Sequence, residues 1–323
     1  MIFIIKRLNM FNFRFNSILQ LVETFKTELD CYKYLENIKW KDGVVCPHCG
    51  NTHKIWKLKD HKTYKCSTCL KKFNVKTNTI FEETRLSLRK WFMAIFLLTT
   101  HSKGISSIQL SKDLKITQKT AWFLAHRIRY ATENFIETES KFNQPVEIDE
   151  TYIGGKNKNK HKDKKIVGTQ GRNVDEKTAV LGFMQRKTET SPAKVRAYKI
   201  NNVSSRVLMN EVKNNVEKGN EVFTDEWLGY NNLGFYFKHQ FIKHSKGQYV
   251  NGNIHTNTIE GYWSLFKRMF IGIYHLMSEK HINRYLNTLA FRYNNMELNS
   301  NEKFELLLSK CYGRLSYKGL IGK

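Results

Sequence analysis

No stretch of this 323-residue chain approaches eighteen consecutive apolar residues, so it offers no candidate membrane-spanning helix. The apolar run from Met1 to Ile5 is followed, not preceded, by Lys6 and Arg7, and it is too short for the core of a secretory signal. Residues 1–17 therefore read as an extension without fixed structure, and the expectation is a soluble protein. Acidic residues are scarce: 29 Asp and Glu stand against 54 Lys and Arg, a net charge of +25. Self-repulsion on that scale does not help folding, and a polyanion would relieve it; nucleic acid is the commonest such partner. An AT-rich coding sequence would also inflate Lys, so charge alone does not decide. The six cysteines lack the even spread of a secreted disulfide scaffold. No internal repeat is visible.

What is present suffices for a real core. Hydrophobic residues make up 41% and aromatics 13%, which excludes wholesale disorder. Residues 18–45 read as helical, with Leu21, Phe25, Leu29 and Tyr32 three or four apart. Pro145 marks a boundary, after which short strand-like runs begin. Three apolar runs follow, at Ala179–Met184, Val195–Ile200 and Val222–Phe223, with a helix expected over 204–216. The last 65 residues read as mostly helical, ending in a tail at 301–323. The basic run 156–165, low in complexity, reads as an exposed loop: a solvated connector or an arm for phosphates.

Four cysteines form two pairs, Cys46-Pro-His-Cys49 and Cys66-Ser-Thr-Cys69, sixteen residues apart. Each tight bend puts two sulfurs on one side, and two bends close a tetrahedron around one Zn²⁺. Four thiolates leave no open position, so the zinc is expected to be structural. The segment 18–80 thus reads as a helix followed by a zinc ribbon.

Within 86–135, an apolar helix over 88–100 contains Trp91, Phe92, Ile95, Phe96 and Leu98, and Gly104 breaks it. Ser106 or Ser107 caps a second helix, and Thr117 a third. The third buries Ala121, Leu124, Ala125 and Ile128 at helical spacing, leaving Gln118, Lys119, Arg127 and Arg129 on its other side. A short helix, a tight turn and a basic helix fit a helix-turn-helix whose basic side contacts DNA; an ordinary three-helix bundle fits the same pattern.

Two acidic residues sit at the ends of short strands: Asp149 closes Val146-Glu-Ile-Asp149, and Asp225 closes Glu221-Val-Phe-Thr-Asp225. A third, Glu260, lies on a helix whose apolar stripe is Ile259, Tyr262, Trp263, Phe266 and Phe270. Glu260, Ser264 and Lys267 share its opposite face, with Lys267 roughly 10 Å along by helical rise. Three carboxylates can hold two Mg²⁺ (or Mn²⁺) ions, the arrangement for in-line phosphoryl displacement, and Lys267 can meet a phosphate. Glu147, Glu150 and Glu226 flank the chosen positions and compete with them.

At these residues the chain resembles a known family. Asp149-Glu-Thr-Tyr-Ile-Gly-Gly-Lys156, Thr224-Asp-Glu-Trp-Leu-Gly-Tyr230 and His255-Thr-Asn-Thr-Ile-Glu-Gly-Tyr-Trp-Ser-Leu-Phe-Lys267 are similar to the catalytic blocks of IS1595-type (ISXO2-like) insertion-sequence transposases. The stretch from His281 to Asn294 and the order of ribbon then helix-turn-helix continue the likeness, over roughly residues 18–300. The resemblance implies an α/β RNase H-like core over 144–300, a mixed sheet flanked by helices. It also implies a DDE triad of Asp149, Asp225 and Glu260, with Lys267 as accessory.

The expected function is therefore metal-dependent cleavage and strand transfer on double-stranded DNA, with element terminal repeats and target DNA as partners. The reaction class implies at least a dimer on DNA, and a cytoplasmic, nucleoid-associated location. A non-enzymatic zinc-ribbon regulator and a plain nuclease of the same fold are the alternatives.

Overall fold

The computed structural model describes residues 15–136, 140–154, 177–189, 191–247 and 250–322. The chain divides into two compact units: Met1–Phe135 together with Asn295–Lys323, and Ile136–Asn294.

In the first unit, helix α1 (Ile18–Thr24) is capped by the Ser17 hydroxyl, and α2 spans Glu28–Lys39. The single helix expected over 18–45 is split because Thr27 and Asp30 form a reciprocal capping box, each side chain taking the other's backbone N–H. Three short strands follow, β1 (Ile55–Lys57), β2 (Thr63–Cys66) and β3 (Lys72–Asn74), in one antiparallel sheet of that order. Helices α3 (Leu88–Thr100), α4 (Ser107–Leu114) and α5 (Gln118–Ile136) come next. Ser87 and Ser106 cap the first two, and the Thr117 hydroxyl accepts the Thr120 N–H at the start of the third.

The second unit is built on five strands: β4 (Val146–Ile153), β5 (Thr178–Gln185), β6 (Lys194–Ile200), β7 (Glu221–Asp225) and β8 (Lys238–Ile242). Their order in the sheet is β6-β5-β4-β7-β8. The first three run antiparallel, whereas β7 lies parallel to β4 and β8 parallel to β7. The three apolar runs marked in the sequence became β5, β6 and β7. Strand β8, Lys238-His-Gln-Phe-Ile242, has no such run, and its residues are largely exposed at the sheet's edge.

Side chains alternate across this sheet, so each face needs its own cover. Helix α6 (Ser205–Asn215) and the 3₁₀ helix Leu228–Phe235 cover one face, burying Val146, Ile148, Phe183 and Val222 with Leu208, Val212 and Tyr230. Helices α7 (Asn257–Met269) and α8 (Ile282–Asn294) cover the other, burying Val180, Met184 and Val195 with Ile259, Trp263, Phe266 and Leu286. The Asn294 amide bonds both the N–H and the carbonyl of Val195, and Asn283 accepts the Lys199 N–H. Those bonds engage backbone groups on the outer edge of β6.

The segment 301–323, expected as a tail, is not one. Helix α9 (Ser300–Ser309), opened by an Asn299–Glu302 capping box, belongs to the first unit, as does α10 (Tyr317–Ile321). Phe304 is fully buried, with its ring 5.2 Å from both Phe15 and Phe92, and the Tyr34 hydroxyl donates to Glu305 at 2.5 Å. Phe15 is itself fully buried and Ser17 is a cap, so the expected extension at 1–17 reaches into ordered structure at its end. No described helix is long and apolar enough to cross a membrane.

Candidate active site and metal centre

The cysteine cluster lies where the β1–β3 sheet and its preceding turn meet. All four sulfurs, of Cys46, Cys49, Cys66 and Cys69, are within 4.8 Å of one another. The Cys46–Cys69 and Cys49–Cys66 separations are 3.6 and 3.7 Å. Zn–S bonds of about 2.3 Å at tetrahedral angles demand sulfurs about 3.8 Å apart, so the cage fits a structural zinc. The backbone N–H of Cys69, working against burial and aided by Thr68, pulls the Cys66 thiol down to about 6, toward the thiolate a metal requires. Tyr64, Phe73 and Trp40 pack against the cage as its small core.

The carboxylates are set by strand register. Strands β4 and β7 pair Val146 with Val222 and Glu147 with Phe223, and the same offset relates Asp149 to Asp225. On parallel neighbours, equal register puts two side chains on one face at one level. That face is the one covered by α7, which carries Glu260. Asp149 is partly buried, and its Oδ2 accepts the Trp263 indole N–H at 3.1 Å. Burial first, then the charges of Glu150, Asp225 and Glu260, push the Asp149 carboxyl up to about 8. Asp225 and Glu260 are therefore both near enough to repel it. Among the described residues only the cysteines have ligand atoms drawn within 4.8 Å as a group, and the three carboxylates are more loosely set.

The competing acids have other occupations. Glu150 points to the opposite face, where it accepts the buried Tyr230 hydroxyl at 2.7 Å. Glu226 accepts both the backbone N–H and the hydroxyl of Ser245, at 2.9 and 2.8 Å. Glu147, wholly buried, accepts the Thr258 and Ile259 N–H groups at 2.9 Å, the Thr258 hydroxyl at 2.8 Å and the Arg186 Nε at 2.8 Å. Glu260 is exposed and takes the Thr256 hydroxyl at 2.8 Å; Ser264 and Lys267 are exposed along the same helix.

On α5, Gln118 and Lys119 are exposed, but Arg127 and Arg129 are not. Arg127 donates to the Glu82 carbonyl at 2.5 Å and its guanidinium lies 5.2 Å from the Trp91 ring centre and 5.4 Å from that of Phe123. Arg127, expected on the free side of α5, is therefore covered by α3 and the segment before it, and Arg129 is buried as well. The basic loop 156–165 lies outside the described residues.

Comparison with known proteins bears on the class. Residues 141–294 match the ISXO2-like transposase domain, and residues 26–72 match the transposase zinc-ribbon domain. Two stretches of the chain are thus similar to domains of ISXO2-like transposases. It is also similar to an uncharacterized protein of the transposable element ISH50 from Halobacterium salinarum. The two are 27% identical over 284 residues, spanning 84% of this chain and 92% of that one. The transposase domain coincides with the second unit, so the carboxylate-bearing sheet lies wholly within it. The zinc-ribbon domain takes in all four cysteines.

Sequence reasoning missed Arg186, Trp263 as a partner of Asp149, and Gly182. One signal was available for Glu147: it shares strand and side with Asp149, so an acid there must face α7.

Proposed function

We propose that this transposase cuts and joins DNA at a single site formed by Asp149, Asp225 and Glu260, with Lys267 beside them. The observation that carries the reading is that Asp149 and Asp225 each follow by two residues the paired positions Glu147 and Phe223 on adjacent parallel strands, with the charges of Asp225 and of Glu260 on α7 both acting on Asp149. The three neighbouring acids are each engaged elsewhere, which favours these three over Glu147, Glu150 and Glu226. The mixed sheet with helices on both faces supports an RNase H-like core.

Carboxylate oxygens are the hard donors that Mg²⁺ or Mn²⁺ selects, and Asp149, Asp225 and Glu260 are the residues that would hold a pair of them. When bound, such ions supply Lewis acidity to the attacking and departing oxygens of an in-line displacement. Trp263 orients Asp149 through its N–H, and Thr256 orients Glu260. Lys267, two turns along the helix, is placed to meet a DNA phosphate. In the first reaction water attacks a phosphodiester and the P–O3′ bond breaks, freeing a 3′-hydroxyl. In the second, that hydroxyl attacks a target phosphodiester; one P–O bond forms and one breaks, so no energy source is consumed.

The zinc ribbon and a helix-turn-helix of α4 and α5 bind the terminal repeats. Gln118 and Lys119, exposed at the start of α5, are its contacts, and Arg127 and Arg129 support the helix from within. Two protomers hold two ends.

The test is strand transfer with a duplex ending in a free 3′-hydroxyl. Asp149→Ala and Asp225→Ala abolish joining and leave duplex binding intact. Wild-type joining by either variant removes the assignment, and cleavage without joining by the wild type makes the protein a nuclease.

A further inference from the structure

We propose that Glu147 and Arg186 are a positioning pair that holds Glu260 in place relative to Asp149 and Asp225; the inference rests on the catalytic reading above. A helix begins with backbone N–H groups that lack partners, and its N-cap side chain ordinarily accepts one. Helix α7 departs from this. Its N-cap, Thr256, makes no capping bond and instead donates its hydroxyl to Glu260. The Thr258 and Ile259 N–H groups go to Glu147, on strand β4. The start of the helix is thus bonded to the strand that presents Asp149, one side-chain repeat away on the same face.

Arg186 extends the connection. It follows directly on β5, and its Nε donates to Glu147. Its two terminal nitrogens donate to the carbonyls of Asn253 and His255, in the loop entering α7. Its guanidinium lies 4.2 Å from the centre of the Phe223 ring, and Phe223 is the register partner of Glu147 on the strand that ends in Asp225. His255 Nδ1 stands 3.2 Å from the same Glu147 carboxylate. One ion pair, its carboxylate wholly buried and its guanidinium partly so, therefore touches both carboxylate strands, the entry loop and the first turn of the helix bearing Glu260.

Burying a charge pair is a poor route to stability, because desolvation offsets most of the attraction and apolar replacements do as well or better. What an apolar pair cannot reproduce is direction. Glu147 accepts four hydrogen bonds from Arg186, Thr258 and Ile259, and these set the rotation of α7 as well as its distance.

The experiment uses the full chain, a duplex copied from the DNA bordering the coding sequence and ending in a 3′-hydroxyl, and a supercoiled plasmid as target. Glu147→Gln, Arg186→Met and the double variant Glu147→Leu/Arg186→Met are compared for three readouts: the Mg²⁺ concentration giving half-maximal joining, duplex affinity, and thermal midpoint. The single variants raise the half-maximal Mg²⁺ concentration about ten- to a hundredfold, the usual effect of removing a group that supports metal ligands. Duplex affinity stays within about twofold, since the pair lies inside the sheet–helix interface. The double variant regains the thermal midpoint but not the Mg²⁺ response, and it carries the test if a single variant does not fold. A wild-type Mg²⁺ response in the single variants, or one regained in the double variant together with the midpoint, reduces the pair to packing and overturns the proposal. Asp149→Asn and Glu260→Gln run alongside. Joining by either defeats the catalytic reading itself, whereas their inactivity beside a normal Glu147→Gln defeats the positioning pair alone.

Discussion

Asp149 and Gly182 stand opposite one another in the antiparallel pairing of β4 and β5, and the absent side chain at 182 is what lets Trp263 reach the carboxylate. A Cβ at 182 would lie 2.5 Å from the indole Cζ2 and 3.0 Å from Ile259 Cδ1. Indole and isoleucine both belong to α7, so the bare backbone at this one point sets how closely the helix seats on the sheet.

Gly182→Ala should therefore push Trp263 off its site. Overpacking of this kind costs about 1–3 kcal/mol, to be read from the urea midpoint. Joining activity should fall further than duplex binding, because the displaced group is the donor to Asp149. Unchanged joining in a folded Gly182→Ala variant would show that Trp263 has no part in placing that carboxylate.

The raised pKa of Asp149 gives stability a pH dependence of definite sign. Its carboxyl titrates at about 8 in the folded chain against 3.8 for the group by itself. Between those values the folded state keeps a proton that the unfolded chain has released. The contribution is complete below about pH 4 and disappears as pH rises through about 8. Asp149→Asn cannot ionise, so it should flatten the fall in thermal midpoint between about pH 5 and pH 8, with a gain on the order of 1–3 kcal/mol at the alkaline end. Mg²⁺ should stabilise the wild type at pH 8 and leave this variant unmoved. The buffer must omit chelators, which would also strip the cysteine cage. An identical pH slope in the two proteins would refute the assignment.

The two ends of α5 should separate by experiment. Lys119→Ala, at an exposed position, should weaken duplex binding and lower the slope of log affinity against log salt by about one. Arg127→Ala removes a buried guanidinium bonded to the Glu82 carbonyl and seated by Trp91 and Phe123. It should cost about 2–4 kcal/mol of stability through the orphaned partners and leave the salt slope as it was. A salt slope altered by Arg127→Ala would return that residue to the DNA face.

Much of this was legible in the sequence because the signals are local. Cysteine spacing announced the cage, and the serine before α4 marked where that helix begins. The apolar runs at 179–184, 195–200 and 222–223 marked strands. Asp225 closes its strand as expected, but β4 runs on to Ile153, so Asp149 lies mid-strand and not at the strand end expected of it. What stayed hidden was relational. Periodicity on α5 says that Arg127 and Arg129 lie away from Leu124 and Ile128, but not that other segments cover that second side. Strand β8 is recognisable only through its pairing with β7, since an exposed edge needs no apolar pattern. Glu147 and Arg186 meet across strands that β5's pairing brings together, and nothing near either residue names the other. Phe304 looked like part of a tail because its partners are Phe15, Phe25 and Phe92.

That last cluster ties the first unit to the end of synthesis. Synthesis runs from the amino end, so Phe304 is among the last residues that Phe15, Phe25 and Phe92 receive. The unit bearing the cysteine cage waits for the final codons before its aromatic centre can close. A polypeptide cut short just after Asn294 would leave the ribosome with its second unit whole and its first unit open at the middle.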